Sequence, residues 1–286
     1  MDISLIICTR NRADTIEKCL TSIACLTFKG DWECILVDNA STDSTLALLQ
    51  SWALTVPFSV RVLHEPKVGV SNAKNLGIAH ARGELIAFTD DDCYPQEDFL
   101  TQVNHSFEHN ELVFVGGRIL LFDKKDYPIT IQTSEVYKNI PPRSFIRTGL
   151  IHGANYSFRR NALVEIGLFD VAFGGGTPFP CEDVDILARL SAAGFHGAYD
   201  PEPLVFHHHK RKKLTEVKQL MEYYDVGRGA YYAKCIKNPS IRWIYIFNWL
   251  RLARKDFFRF IRELMGAYRY TISRFKRQKG TSNTHS

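Results

Sequence analysis

Three consecutive aspartates, Asp90, Asp91 and Asp92, close the apolar run in "ELIAFTDDDCYP". Three like charges in a row repel unless a cation neutralises them. Alternate side chains of an extended chain face the same way, which lets Asp90 and Asp92 share one ligand. Their hard oxygens suit Mg²⁺ or Mn²⁺; the competing reading is a solvated acidic loop. A second acidic group, Glu182, Asp183 and Asp185, opens the amphipathic pattern "PCEDVDILARL". A helix dipole favours carboxylates in the first turn. Capping accounts for one of them, but not for all three behind the glycine-rich "FGGGTPF". A third group, "VFHHHKRKK", holds His207, His208 and His209 in succession. Neighbours on a strand face opposite ways, so the three are not all ligands of one ion.

The elements around these groups are readable from periodicity. "ISLIIC" (residues 3–8), "WECILVD" (32–38), "SVRVLHEP" and "GELIAFTDDD" (83–92) are short apolar runs of buried-strand character. Between them, "RADTIEKCLTSIACL", "STDSTLALLQSWAL" and "SNAKNLGIAHA" have helical spacing. Strand–helix alternation over the first ninety or so residues implies a parallel sheet covered on both faces. Ligands of such sheets bind beyond the carboxyl ends of the strands. "TRNR", "DNAST" and "DDD" therefore converge on one rim. Further on, residues 112–123 read as strands and "DYPITIQTSEVYKNIPPRSFIRTG" as an irregular, mobile loop. "GANYSFRRNALVEIGLFD" turns from strand into helix, and the chain after "HHHKRKK" is helical.

Four stretches, "LIICTRNRADTIEKCLTSI", "CILVDNASTDST", "GVSNAKNLGIAHARGELIAFTDDDC" and "CEDVDILARL", resemble the successive signatures of the family 2 glycosyltransferases. The resemblance spans roughly residues 2–210. It implies the GT-A fold, a Rossmann-like, mostly parallel sheet with helices on both faces. It also implies inverting transfer of a sugar from a nucleotide-diphosphate sugar, here expected to be a UDP-sugar, with Mn²⁺ or Mg²⁺. By the same resemblance Asp90 contacts the donor ribose or the metal, Asp92 holds the metal, and Asp91 touches the nucleoside or sugar. Asp38 bonds the base or ribose; its alternative is a helix cap. Thr9 and Asn11 approach the nucleoside. Arg12 contacts phosphate or pairs with Asp14, and Lys74 contacts the donor or lies on the helix surface. Asp183 is the expected base for the acceptor hydroxyl, with Glu182 orienting it; Asp185 points elsewhere, toward Arg189. His207 is the best match to a metal- or pyrophosphate-contacting histidine, with His209 next. Residues 210–213 are candidates for phosphate, acidic-acceptor or membrane contact, or a plain basic turn. Gly153, Asn155 and Gly174 to Gly176 resemble the acceptor side.

The 286-residue chain is 45% hydrophobic, enough for a full core. Its net charge of +5 is unevenly placed. Residues 241–279 carry eleven Lys or Arg and two Asp or Glu, a net +9, which leaves residues 1–240 at −4. Trp243, Phe247, Leu250, Phe257, Ile261, Leu264, Tyr268, Ile272 and Phe275 recur at helical spacing in that tail. Arg251, Lys255, Arg262 and Arg269 fall on another face, and Gly266 is a candidate break. This is the pattern of a helix lying on an anionic membrane surface; a helix packed on the catalytic domain is the alternative, and no nucleic-acid module accompanies it. The expected division is residues 1–213 as the catalytic domain (1–95 donor half, 96–213 acceptor half) and residues 214–286 as a basic helical extension. Seven cysteines without a Cys-x-x-Cys pair point to reduced thiols. No signal-peptide pattern or 18-residue apolar run is seen. Together these place the protein in the cytoplasm, peripheral on the inner face of the cell membrane, with a glycan or lipid-linked acceptor.

Two rival functions share some of these features. A nucleotidyltransferase also uses strand-end aspartates and a metal, but it needs a glycine-rich phosphate loop near the first strand, and "CTRNRAD" has no glycine. A non-catalytic nucleotide-sugar-binding subunit does not need the retained Asp183.

Overall fold

A computed structural model describes residues 1–108 and 111–282, without the side chains of 277–282. The N-terminal half alternates β1 (Ile3–Thr9), α1 (Glu17–Ala24), β2 (Trp32–Asn39), α2 (Thr45–Ala53), β3 (Ser59–Glu65), α3 (Val70–His80) and β4 (Leu85–Asp90). These strands form a parallel ladder in the order β3-β2-β1-β4. Successive side chains of a strand enter opposite faces, and the core obeys this. Leu5, Ile7, Cys34 and Leu36 pack in one layer, while Ile6, Ile35 and Val37 pack in the other. Helices covering both faces explain why β1 and β2 are apolar almost throughout.

Beyond β4 the sheet becomes mixed. β5 (Cys93–Pro95) and α4 (Phe99–Ser106) precede β6 (Leu112–Leu121), a single long strand with two register shifts. β7 (Lys138–Ile140), β8 (Asn155–Arg159), α5 (Arg160–Glu165), α6 (Glu182–Ala192) and β9 (His196–His207) follow. β8 runs antiparallel between β4 and β6, and β9 pairs parallel with β6 and antiparallel with β5 and β7. The parallel expectation thus holds for the donor half, while the second half is mixed. The segment expected as a mobile loop is instead attached to the body. It contributes β7, Ile140 and Ile146 are buried, and the Ile146 N–H donates to the Tyr245 hydroxyl at 3.1 Å. Apolar residues among its prolines hold it down.

The C-terminal extension comprises α7 (Leu214–Lys237), α8 (Arg242–Ala253) and α9 (Phe257–Ser282). Residues 283–286 of the expected extension lie outside the described residues. Tyr231, Tyr245 and Tyr270 are buried in the same core as Phe88 and Tyr156, so the extension is packed onto the body. Gly266 does not break the helix; the interruption falls between Ala253 and Phe257. Gly266 and Gly229 instead allow α9 and α7 to touch: a Cβ on Gly266 would strike the Val226 carbonyl, and one on Gly229 the Glu263 backbone. Arg262 is not on a wholly solvated face as expected; it donates to Asp225 at 2.8 Å, beside the buried pair of Arg228 and Glu263 at 2.6 Å.

Candidate active site

Parallel register sets the site. Thr9 lies opposite Asp38 and Cys8 opposite Asp90, so the ends of β1, β2 and β4 stop at one level. Asp38 is fully buried. Its Oδ2 meets His64 Nδ1 at 2.8 Å and accepts the Ser41 N–H at 3.3 Å. Its Oδ1 is buried with no hydrogen-bond partner. Asp38 is therefore not a helix cap. A buried, unpartnered carboxylate oxygen costs free energy until a donor reaches it. Asp43, by contrast, orders the turn: its oxygens accept the Thr45 and Ala13 N–H groups at 3.0 and 3.2 Å.

The first-strand loop is tied down by its own side chains. Asn11 takes a left-handed backbone and its Oδ1 accepts the Thr42 N–H at 2.8 Å. That side chain joins two loops, leaving its backbone on the rim. Thr9 is buried with its hydroxyl beside Asp91. Arg12 turns to the aspartates rather than to Asp14: its guanidinium lies 3.3 Å from Asp91 and 4.0 Å from Asp92.

The three aspartates are divided by the backbone. β4 ends at Asp90 and the chain turns at Asp91–Asp92, so extended-strand alternation does not govern them. Asp90 is consequently not part of the compact donor cluster, which is Asp92, Cys93 and His207, with ligand atoms within 4.8 Å of one another. His207 Nε2 lies 3.4 Å from Asp92 Oδ1. Burial works against charge on Asp92, but the hydrogen bond and field of His207, with Arg12 and Arg211, hold its carboxyl below the usual range. Burial outweighs Arg12 at Asp91 and pushes that carboxyl up to about 6. Burial also raises Asp90, opposed by Lys74. His208 turns to the Tyr94 hydroxyl at 3.0 Å, and His209, whose ring packs against that of His207 at 5.2 Å, bonds the Tyr127 carbonyl at 3.0 Å. One histidine of the three therefore meets the aspartates.

The second acidic group enters from α6. Cys181, with φ of 90°, turns the chain immediately before it. Such strain in a non-glycine residue persists only where the surroundings fix it. Asp183 accepts the Gly153 N–H at 3.1 Å and the Val184 N–H at 2.8 Å. Burial, then the Glu182 charge, pushes its carboxyl up to about 6. Glu182 is held by Lys74 at 2.8 Å. Lys74 is thus not a surface lysine: its side chain is 4% exposed and its ammonium, paired with Glu182, also feels the charge of Asp90. Asp185 turns away, as expected, onto Arg189 at 3.0 Å. The glycine loop is docked: the Val70 N–H donates to the Gly175 carbonyl at 3.0 Å, and a Cβ on Gly174 would lie 2.6 Å from Val70 Cγ1.

Three residues around the site were not singled out from the sequence: His64, Cys93 and Tyr224. His64 sits in an ordinary strand pattern and Cys93 reads as a core thiol. Arg211 belongs to the basic run 210–213 named as a candidate for phosphate contact, and its charge reaches both Asp92 and Tyr224. Tyr224 stands on α7 in the field of Asp183 and Glu182, and no local signal distinguishes it from a packing tyrosine.

This arrangement, a nucleotide-type rim with an acidic turn and a facing acidic helix start, is that of a GT-A glycosyltransferase. The profile of Glycosyl transferase family 2 matches residues 4–167, more than half of the chain, and the protein belongs to that family. It is 24% identical over 249 residues to "Glycosyltransferase AglE" of Haloferax volcanii, covering 85% of this chain and 77% of the relative. It is 26% identical over 212 residues to "Succinoglycan biosynthesis protein ExoM" of Rhizobium meliloti, covering 72% and 66%. Among solved structures, the mannosyltransferase PcManGT of Pyrobaculum calidifontis, in complex with GDP-Man and Mn²⁺, superposes with a TM-score of 0.67 at 19% identity, covering 92% and 73%. S. aureus TarS with UDP-GlcNAc superposes with a TM-score of 0.64 at 16% identity, covering 86% and 69%. These neighbours share the fold and bind nucleotide sugars. Among the described residues no helix is long and apolar enough to cross a membrane.

Proposed function

We propose that the protein is an inverting, metal-dependent hexosyltransferase that moves a sugar from a nucleotide-diphosphate sugar to an acceptor hydroxyl in glycan synthesis. The observation that carries this reading is Asp183. It is a carboxylate fixed by two backbone N–H groups, raised to about 6 and joined to the aspartate turn through Glu182 and Lys74. A base near that value is ionised at neutral pH yet retains proton affinity. Asp183 takes the acceptor hydroxyl proton as that oxygen bonds the anomeric carbon. The bond from the anomeric carbon to the diphosphate oxygen breaks on the opposite face. The Gly153 and Val184 N–H groups hold Asp183 in place, while Glu182, paired with Lys74, stands close enough to raise its proton affinity.

The residues present fit a divalent ion. Asp92 and His207 offer a carboxylate and an imidazole at 3.4 Å, with two more carboxylates adjacent in sequence. Asp92 and His207 would hold it, with Asp90 nearby; a divalent ion bound there would supply Lewis-acid neutralisation of the leaving diphosphate. Arg12 and Arg211 add positive field on the same side. The buried Asp38 Oδ1 suits an N–H on the Watson–Crick edge of the base, as uracil and guanine possess. We take a UDP-sugar as the donor, in line with the UDP-GlcNAc neighbour.

The catalytic work falls to residues 1–213 and attachment to residues 214–286, against the inner face of an anionic membrane. Trp243, Phe247, Phe257, Phe258 and Tyr268 are each at least two-thirds exposed on α8 and α9. Arg251 and Arg269 are exposed on the same helices, and Lys255 is exposed in the turn between them. Exposed aromatics with basic neighbours match the lipid interface in both polarity and charge, and a membrane-borne glycan acceptor follows from that location. The primary test is Asp183→Asn: donor binding by calorimetry is retained and transfer is lost. Retained transfer overturns the reading.

A further inference from the structure

We propose that Cys93 is a third ligand at the Asp92–His207 site, making an oxygen–sulfur–nitrogen set that takes Co²⁺ or Zn²⁺ in preference to Mg²⁺. The inference rests on the metal reading given above and goes beyond it in naming the ligand and the class of ion.

Three observations carry it. First, antiparallel register places Cys93 directly opposite His207, on neighbouring strands β5 and β9. Directly opposed residues bring their side chains close enough to share a partner. Second, the sulfur lies 4.0 Å from Asp92 Oδ1, and Asp92 Oδ1 lies 3.4 Å from His207 Nε2. All three ligand atoms fall within 4.8 Å of one another, and this is the one such cluster of three His, Cys, Asp or Glu residues found among the described residues. Third, the backbone is locked around them, because the His208 N–H donates to the Asp92 carbonyl at 2.9 Å. Cys34 is equally buried but has no comparable pair of donors, so burial alone does not single Cys93 out.

Chemistry then decides the ion. Mg²⁺ demands near-octahedral oxygen coordination and keeps its waters, so a sulfur and an imidazole are poor ligands for it. Zn²⁺ and Co²⁺ accept sulfur, nitrogen and oxygen together. Three protein ligands also leave a position free for a phosphate oxygen. On coordination the thiol proton is released to solvent as the metal–sulfur bond forms, with no change of oxidation state.

The test uses the full chain with Co²⁺, with and without UDP or GDP. Wild type is expected to show a thiolate-to-cobalt charge-transfer band in the near ultraviolet. Cys93→Ser is expected to lose the band and to bind Co²⁺ about tenfold or more weakly, with Mg²⁺ binding little changed. Cys93→Ala, checked for folding by circular dichroism, and Cys25→Ser, which removes the exposed thiol, complete the set. Bound cobalt without the band overturns the proposal but leaves a metal at Asp92 and His207. A band that persists in Cys93→Ser and Cys93→Ala also overturns it. No retained cobalt or manganese, even with nucleotide, overturns both the proposal and the metal reading.

Discussion

Lys74 on α3 and Glu182 on α6 form a 2.8 Å ion pair that joins the donor half of the sheet to the acceptor half. Its lysine is almost wholly buried, and its ammonium also offsets the charges of Asp90 and Asp183. Removing one partner of a buried pair strands the other, at about 3 kcal/mol or more. Lys74→Met should therefore lower the unfolding midpoint clearly. It should also raise the apparent pKa of Asp183, since Lys74 lowers it now. Thermal melts and a pH–rate profile check the two effects; an unchanged acidic limb would refute the electrostatic link.

The pH dependence of transfer follows from Asp183. Its carboxyl is raised to about 6 by burial first and Glu182 second. A base acts when deprotonated, so kcat/KM should fall about tenfold per unit as pH drops below that value. The stability sign is opposite. The folded state binds a proton that the unfolded state has already lost between the ordinary value of 3.8 and about 6. Stability contributed by this group is present below that window and is lost as pH rises through it. Asp183→Asn should abolish the activity limb, with a loss on the order of 10²–10⁴ in kcat. A limb that survives in residual activity would assign it to another group.

Much of this site was legible in the sequence because strand ends in a parallel sheet are fixed by topology. Asp38, Asp90 and Thr9 needed only the register of buried apolar runs to be placed on one rim. Asp183 was legible because three carboxylates exceed the needs of a helix cap. What was not legible depends on pairs remote in sequence. Lys74 stayed open between donor contact and a surface position because nothing near it in sequence reveals Glu182, more than a hundred residues away. Asp90 and Asp92 read as a shared ligand pair because the turn after β4 is invisible to an alternation rule. Gly266 read as a helix break because propensity carries no information about a crossing helix.

That crossing is itself testable. A methyl on Gly229 would overlap the Glu263 backbone, with no flexible side chain to yield. Gly229→Ala should therefore push α9 from α7 and cost about 2 kcal/mol or more by overpacking, although alanine is the better helix former. Chemical denaturation measures it. A neutral or stabilising result would mean the helices separate freely.

Membrane attachment is best tested by substitution, since removing α8 and α9 would also strip Tyr245 and Tyr270 from the core. Trp243 and Phe247 are 75% and 67% exposed, one turn apart on α8. Trp243→Asp with Phe247→Asp removes apolar area and adds two negative charges at no cost to packing. The wild-type chain should float with vesicles rich in phosphatidylglycerol, float less with neutral phosphatidylcholine, and be released by salt. The double variant should keep its melting temperature and lose flotation. If wild type and variant float equally, α8 does not meet the bilayer; if neither floats, the exposed aromatic face serves a different partner.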